Sequence, residues 1–205
     1  MKVPRFVVFE GPDGVGKTTF VNQLKEYYLK LGLTKKVHVD WFPGKEEGSL
    51  GDLVYKLHHT WKIGEDVDPV ALQLMHIAAH VDNIRRKFQV WFKNGDYLIL
   101  DRFWWSTYAY GRLTLTKRQV WKIVDAERQF WVGVPKPVFI YMTRPSSFKP
   151  GELNKKRFDK LKKLYQEVVN SEKSTGAKVH IVVNGRTKEE TFKSILKSLG
   201  LLPGV

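Results

Sequence analysis

At 205 residues the chain is long enough for one α/β domain with a full core over residues 1–205, and the absence of cysteine excludes disulfides and thiolate metal sites. No apolar run approaches the ~18–20 residues of a membrane span, so no membrane partner is expected. The 35 Lys and Arg against 21 Asp and Glu leave a net charge of +14, which attracts phosphate-bearing ligands, nucleic acid among them.

The first predicted element is a buried strand at residues 6–9, preceded by Val3, and it begins so early that no signal peptide is expected. With no cysteine, the chain reads as cytoplasmic. The strand runs into Gly11-x-x-x-x-Gly16-Lys17-Thr18, and an apolar-periodic helix follows through Phe20, Leu24, Tyr28 and Leu31. Strand, glycine loop and helix in that order make a phosphate-binding loop. Its amides converge on an anion at a helix N-terminus. Gly11, Asp13, Gly14, Val15, Gly16, Lys17, Thr18 and Thr19 form the expected triphosphate-binding set, with Lys17 on the outer phosphates and Thr18 on magnesium.

Gly32 stops the first helix, and residues 36–41 read as a second strand closed by Phe42-Pro43-Gly44. Ser49 caps a short helix through His59, and Asp68-Pro69 starts a long one running to about Asn94-Gly95. Residues 97–101 form the third strand, ending on Asp101, a carboxylate placed to hold magnesium or its waters. Arg102 beside it can clamp an acceptor phosphate, and an aromatic-rich segment continues to Gly111. Thr116 caps the next helix, with Val120, Ile123, Val124 and Phe130 as its apolar stripe. Residues 137–142 are the fourth strand and 144–157 a polar, basic stretch. Phe158, Leu161, Leu164, Tyr165 and Val168 mark a helix, 178–183 a fifth strand, and 187–199 a closing helix. Alternating strands and helices predict a parallel sheet covered on both faces, with ligands at the C-terminal strand ends.

Phe9-Glu-Gly-Pro-Asp-Gly-Val-Gly-Lys-Thr-Thr19, Asp101-Arg-Phe-Trp-Trp-Ser-Thr-Tyr-Ala-Tyr110, Phe42-Pro43 and Phe158-x-x-Leu-x-x-x-Tyr165 together resemble the thymidylate kinase family of nucleoside monophosphate kinases, in the family's order and over nearly the whole chain. The resemblance implies a P-loop NTPase three-layer fold, with a five-stranded parallel sheet, helices on both faces and a short basic lid at about 144–157. It also implies transfer of the γ-phosphoryl of ATP, with magnesium, to dTMP or a related pyrimidine deoxynucleoside monophosphate. On that footing Asp13 contacts the acceptor sugar or positions its phosphate, and Arg102 binds that phosphate. Phe42 lines the acceptor pocket, and Ser106 and Tyr110 lie near the base or sugar. Family members often pair, so a homodimer is implied by analogy.

Position 15 is Val where some family members carry Arg, so the missing charge falls to Arg144, Lys149, Lys155, Lys156 and Arg157, with Arg144 and Arg157 as the expected catalytic cations. Asn184 and Arg186 follow the last strand, where the family packs the donor adenine. A turn and a helix cap explain the same residues. The acceptor pocket departs from the family. His76 and His80 stand where a stacking Phe and an Arg are usual, Gly111 stands for Gln and Trp41 for Arg. Lys45, Arg85 or Arg86 could replace the lost charge. The two histidines have no evident third ligand and Ile77 between them, so they read as a pocket or core pair rather than a zinc site. The altered pocket, the charge and seven tryptophans leave one alternative, a kinase acting on a base or sugar hydroxyl within DNA. A nucleotide-binding switch without phosphoryl transfer is the third reading.

Overall fold

The computed structural model describes residues 2–33, 35–44, 46–59, 67–146, 151–185 and 187–202. Strands β1 (Phe6–Glu10), β2 (Val37–Trp41), β3 (Tyr97–Asp101), β4 (Val138–Thr143) and β5 (Lys178–Val183) form one parallel sheet in the order β2-β3-β1-β4-β5. The central strand β1 is buried throughout because helices cover both faces. Phe6 and Val8 enter one core with Phe42, Phe88, Phe103 and Tyr165. Val7 and Phe9 enter the other with Phe20, Leu24, Ile140 and Ile195. The chain leaves β1 between β3 and β4, and such a switch point opens a crevice at the C-terminal strand ends.

The helices are α1 (Lys17–Lys30), α2 (Leu50–His59), α3 (Pro69–Asn83), α4 (Gln89–Lys93), α5 (Trp104–Gly111), α6 (Lys117–Arg128), α7 (Glu152–Ser174) and α8 (Lys188–Ser198). Their starts follow local chemistry. Ser49 Oγ accepts from the Asp52 amide, and Asp68 accepts from the amides of Val70 and Ala71 ahead of Pro69. Thr116 with Gln119 and Thr187 with Glu190 form reciprocal capping boxes. No helix among the described residues is long and apolar enough to cross a membrane.

Two expectations need correction, for the long helix after Pro69 and the helix capped by Thr116, and two segments gain definition. The long helix after Pro69 is interrupted by a π turn at Ile84–Phe88, which brings both Ile84 and Phe88 into the core. The aromatic segment after Arg102 is the helix α5, almost wholly buried. The helix capped by Thr116 ends at Arg128, and Phe130 lies in a 3-10 turn. The C-terminal part of the basic lid is already helical, because α7 begins at Glu152. Five of the described tryptophans serve the core: Trp104 and Trp105 are buried, and Trp91, Trp121 and Trp131 pack against the same cluster.

Candidate active site

The loop after β1 is shaped by close backbone approach. Gly11 has φ 140°, and a Cβ there would stand 2.1 Å from the Met142 carbonyl oxygen, so no side chain fits. Gly16 leads into α1 with φ 94°, and a Cβ would meet the Asn184 amide at 2.8 Å. That amide is committed to the loop itself, donating to the Val15 carbonyl at 2.9 Å. Val15 contributes backbone only, because its side chain is fully buried in the core. Lys17 Nζ lies inside the loop and donates to the carbonyls of Gly11 (2.8 Å) and Pro12 (2.9 Å). Burial, reinforced by the Arg102 charge, pushes the Lys17 ammonium down to about 8 against the pull of Asp101, Asp13 and Glu10.

Thr18 Oγ1 donates to Asp101 Oδ2 at 2.6 Å, while Asp101 Oδ1 is buried without a hydrogen-bond partner. A buried orphan carboxylate oxygen beside a hydroxyl is a donor set suited to a hard divalent cation. Phosphate oxygens and water would supply the remaining ligands.

Arg102 is held from several directions. Its backbone adopts φ 76°, a left-handed conformation for a non-glycine residue, and its amide donates to the Phe9 carbonyl. The guanidinium pairs with Asp13, donates from Nη1 to Ser106 Oγ at 3.0 Å and lies over the Tyr110 ring. Tyr110 in turn donates to Asp13 Oδ2 at 2.7 Å and accepts from the Asp13 amide. Desolvation pushes the Asp13 carboxyl up, but Arg102, the Tyr110 hydroxyl and Lys17 outweigh it and leave it below the ordinary value. Asp13, Arg102 and Tyr110 therefore form one clamp.

Beneath that clamp lies Glu10, which sequence reasoning missed. It is wholly buried at the end of β1. Oε1 accepts from the amides of Phe103 (2.7 Å) and Ser106 (3.0 Å), and Oε2 accepts from the Gly11 amide (3.2 Å) and Ser106 Oγ (2.7 Å). A carboxylate from another strand thus caps the N-terminus of α5. Burial pushes Glu10 up to about 7, against Arg102, the Ser106 hydroxyl, Lys17 and the Phe103 amide. The Ser106 hydroxyl, expected near the base or sugar, is engaged by Glu10, Arg102 and the Tyr165 hydroxyl. A signal for Glu10 existed: an acidic residue closing an apolar strand immediately before the glycine loop.

A cleft of about 800 Å³ runs over these groups. One part of its lining is the loop with Lys17, Thr18 and Thr19. The other comprises Phe42, Tyr55, Gln73, His76 and His80. His80 is buried, its ring stacked on Phe42 with centroids 3.8 Å apart, and Nδ1 lies 2.8 Å from Glu127 Oε2. Trp41 also lines the cleft, and Gly111 lies just outside it, where a Cβ would stand 3.5 Å from the Gln73 carboxamide. Arg85 and Arg86 do not replace charge there. Both are exposed on the π turn, and Arg86 pairs with Asp82 at 3.5 Å. Of the lid cations, Arg144 reaches the loop, Nη1 donating to the Gly14 carbonyl at 3.1 Å, and Arg157 lines the cleft. Lys155 and Lys156 are exposed on α7. Lys45, Lys149 and Arg186 lie outside the described residues.

Comparison with known proteins agrees with this geometry. The family model described as thymidylate kinase matches residues 9–195. A thymidylate kinase of Prochlorococcus marinus (strain NATL1A) is 32% identical over 109 residues, 52% of this chain and 51% of that protein. The match thus spans about half the length of that relative. A probable thymidylate kinase of Methanococcoides burtonii is 24% identical over 205 residues, covering 95% of this chain and 96% of its own. The crystal structure of thymidylate kinase from Ehrlichia chaffeensis superposes with a TM-score of 0.76 at 18% identity, over 97% of this chain and 100% of that one. At that identity the likeness speaks for the fold.

Proposed function

The chain belongs to the thymidylate kinase family, and from that premise we propose that it transfers the γ-phosphoryl of ATP to dTMP or a related pyrimidine deoxynucleoside monophosphate, yielding ADP and the diphosphate. The observation that carries the proposal is one cleft holding a phosphate loop and, facing it, a carboxylate–guanidinium–phenol clamp. The loop amides and Lys17 grip the donor's β- and γ-phosphates, and Lys17 exchanges its two carbonyl partners for phosphate oxygens. Arg102, kept in place by Asp13, Ser106 and its own backbone, receives the acceptor phosphate and brings one of its oxygens in line with the γ-phosphorus. That oxygen is already anionic, so no side chain has to remove a proton from it.

Arg144, bonded to the loop, and Arg157, on the cleft wall, are the lid cations that would offset the charge spreading over the transferring group's oxygens. Thr18 and Asp101 would hold magnesium, which would supply charge neutralisation on the donor phosphates. Asn184, just after β5, steadies the loop. The DNA-hydroxyl alternative loses one of its three supports, because the described tryptophans are mostly built into the core rather than displayed for stacking. A homodimer and a cytosolic location complete the proposal by family analogy.

The test is ADP release by the purified chain with ATP and magnesium, using dTMP, dUMP, dCMP, dGMP and duplex DNA in turn. Turnover of dTMP or another pyrimidine nucleotide is expected. Activity on duplex DNA alone, or on no acceptor at all, would overturn the proposal.

A further inference from the structure

Glu127 has no role in the chemistry above, yet it is among the most deeply buried charged groups in the molecule, with no exposed surface. It sits in the last turn of α6, where a carboxylate opposes the helix dipole. A fully buried acid in that position is costly, and an apolar residue would pack there at lower cost. Its two oxygens are separately engaged: Oε2 with His80 Nδ1 at 2.8 Å, and Oε1 accepting from Trp131 Nε1 at 3.2 Å. The His80 ring is sandwiched further by Phe42, whose plane lies within 9° of its own. With carboxylate on one edge and phenyl on one face, the ring cannot rotate. Its remaining polar atom, Nε2, is left for the cleft that His80 lines.

We propose that Glu127 is a positioning residue for acceptor recognition: it fixes the proton on His80 Nδ1 and presents Nε2 to the edge of the acceptor's base. This rests on the acceptor reading above. The carboxylate accepts, so Nδ1 carries a proton, and a ring with that single proton offers Nε2 as an acceptor. An imide N–H, as in thymine or uracil, is its complement; the ring nitrogen of cytosine at that position has no hydrogen. The base pocket is thus wired through α6, an element that does not itself line the cleft.

The decisive variant is Glu127→Gln, which keeps the shape. Trp131 Nε1 continues to claim an oxygen, so the amide group of the variant faces Nδ1 and drives the proton to Nε2. The acceptor KM for dTMP is expected to rise about tenfold and the dTMP-over-dCMP preference to shrink, with kcat and the ATP KM nearly unchanged. In a His80→Phe background the same substitution should add nothing. Should Glu127→Gln fail to fold, long-range proton–nitrogen NMR of the wild-type histidines decides instead. Nδ1 of His80 should carry the proton, and Nε2 should shift on titration with dTMP but not with ATP. An active wild type whose Glu127→Gln variant keeps both acceptor KM and base preference refutes this inference alone, as does an Nε2 signal indifferent to dTMP. A wild type that phosphorylates no pyrimidine nucleotide refutes the function, and the NMR titration still reads His80 independently.

Discussion

The two parts of the cleft are built in opposite ways. Around the donor phosphates, the frame comes from one contiguous stretch, residues 10–19, and most of its contacts are backbone: glycine amides, loop carbonyls, a helix N-terminus. Around the acceptor's base, side chains arrive from β2's end, α2, α3 and, at one remove, α6. The first is a property of local chain geometry and the second of tertiary assembly. A site of the first kind tolerates little change, because backbone geometry cannot be retuned one side chain at a time. A site of the second kind can be rebuilt residue by residue, and the departures expected from the sequence, at His76, His80, Gly111 and Trp41, all belong to this part.

The largest expected effect probes the contiguous half. Lys17→Ala should lower kcat by about a thousandfold or more, since the ammonium faces charge in a desolvated loop. Binding of dTMP, followed by calorimetry, should be nearly unchanged. A parallel loss of dTMP binding would show that the two halves are not separable.

Glu10→Gln tests the floor on which both halves stand. Burial raises the Glu10 pKa in the fold from the ordinary value near 4.5 to about 7, so the folded chain binds the extra proton. Its contribution is therefore full below about 4.5 and is lost as pH rises through about 7, on the order of 3 kcal/mol. Denaturant unfolding of wild type between pH 5 and 8, relative to Glu10→Gln, should show that decline. Parallel curves would remove Glu10 from the account.

Arg102→Lys asks whether the clamp depends on shape or on charge alone. A lysine keeps the charge but not the fork shared by Asp13, Ser106 and a phosphate, so kcat/KM for the acceptor should fall about a hundredfold. Retention of full activity would mean that charge alone suffices. The smallest effect belongs to Thr116→Ala, which removes the capping box of α6, the helix that carries Glu127. It should cost about 1 kcal/mol in unfolding and leave the ATP KM untouched. A changed ATP KM would tie α6 to the wrong half of the cleft.

What could be read in advance follows the same division. Gly11, Gly16, Lys17 and Thr18 were legible because their roles depend on spacing along the chain, and Asp101 because it ends an apolar strand. The sheet was legible from alternation of elements. The π turn at Ile84–Phe88 was not, because its cause is the packing of two side chains rather than any breaker in the sequence. Glu127 could not have been found either. On an amphipathic helix it reads as one more solvated acid, and only the approach of His80 from α3 gives it a partner. Arg85 and Arg86 misled for the converse reason: a basic pair near the pocket in sequence faces outward once the helix turns.

The left-handed backbone of Arg102 sets a trap for any programme that improves this molecule by heat alone. An L-side chain at φ 76° holds back about 1–2 kcal/mol that a glycine would release. Glycine at 102 would release that strain but forfeit the Asp13 pair and the Ser106 hydrogen bond, so variants that survive a melting-temperature ranking there should be inert even where they are no weaker. Durability and usefulness part company at a single residue, so a screen for hardier variants has to carry a turnover assay at every round.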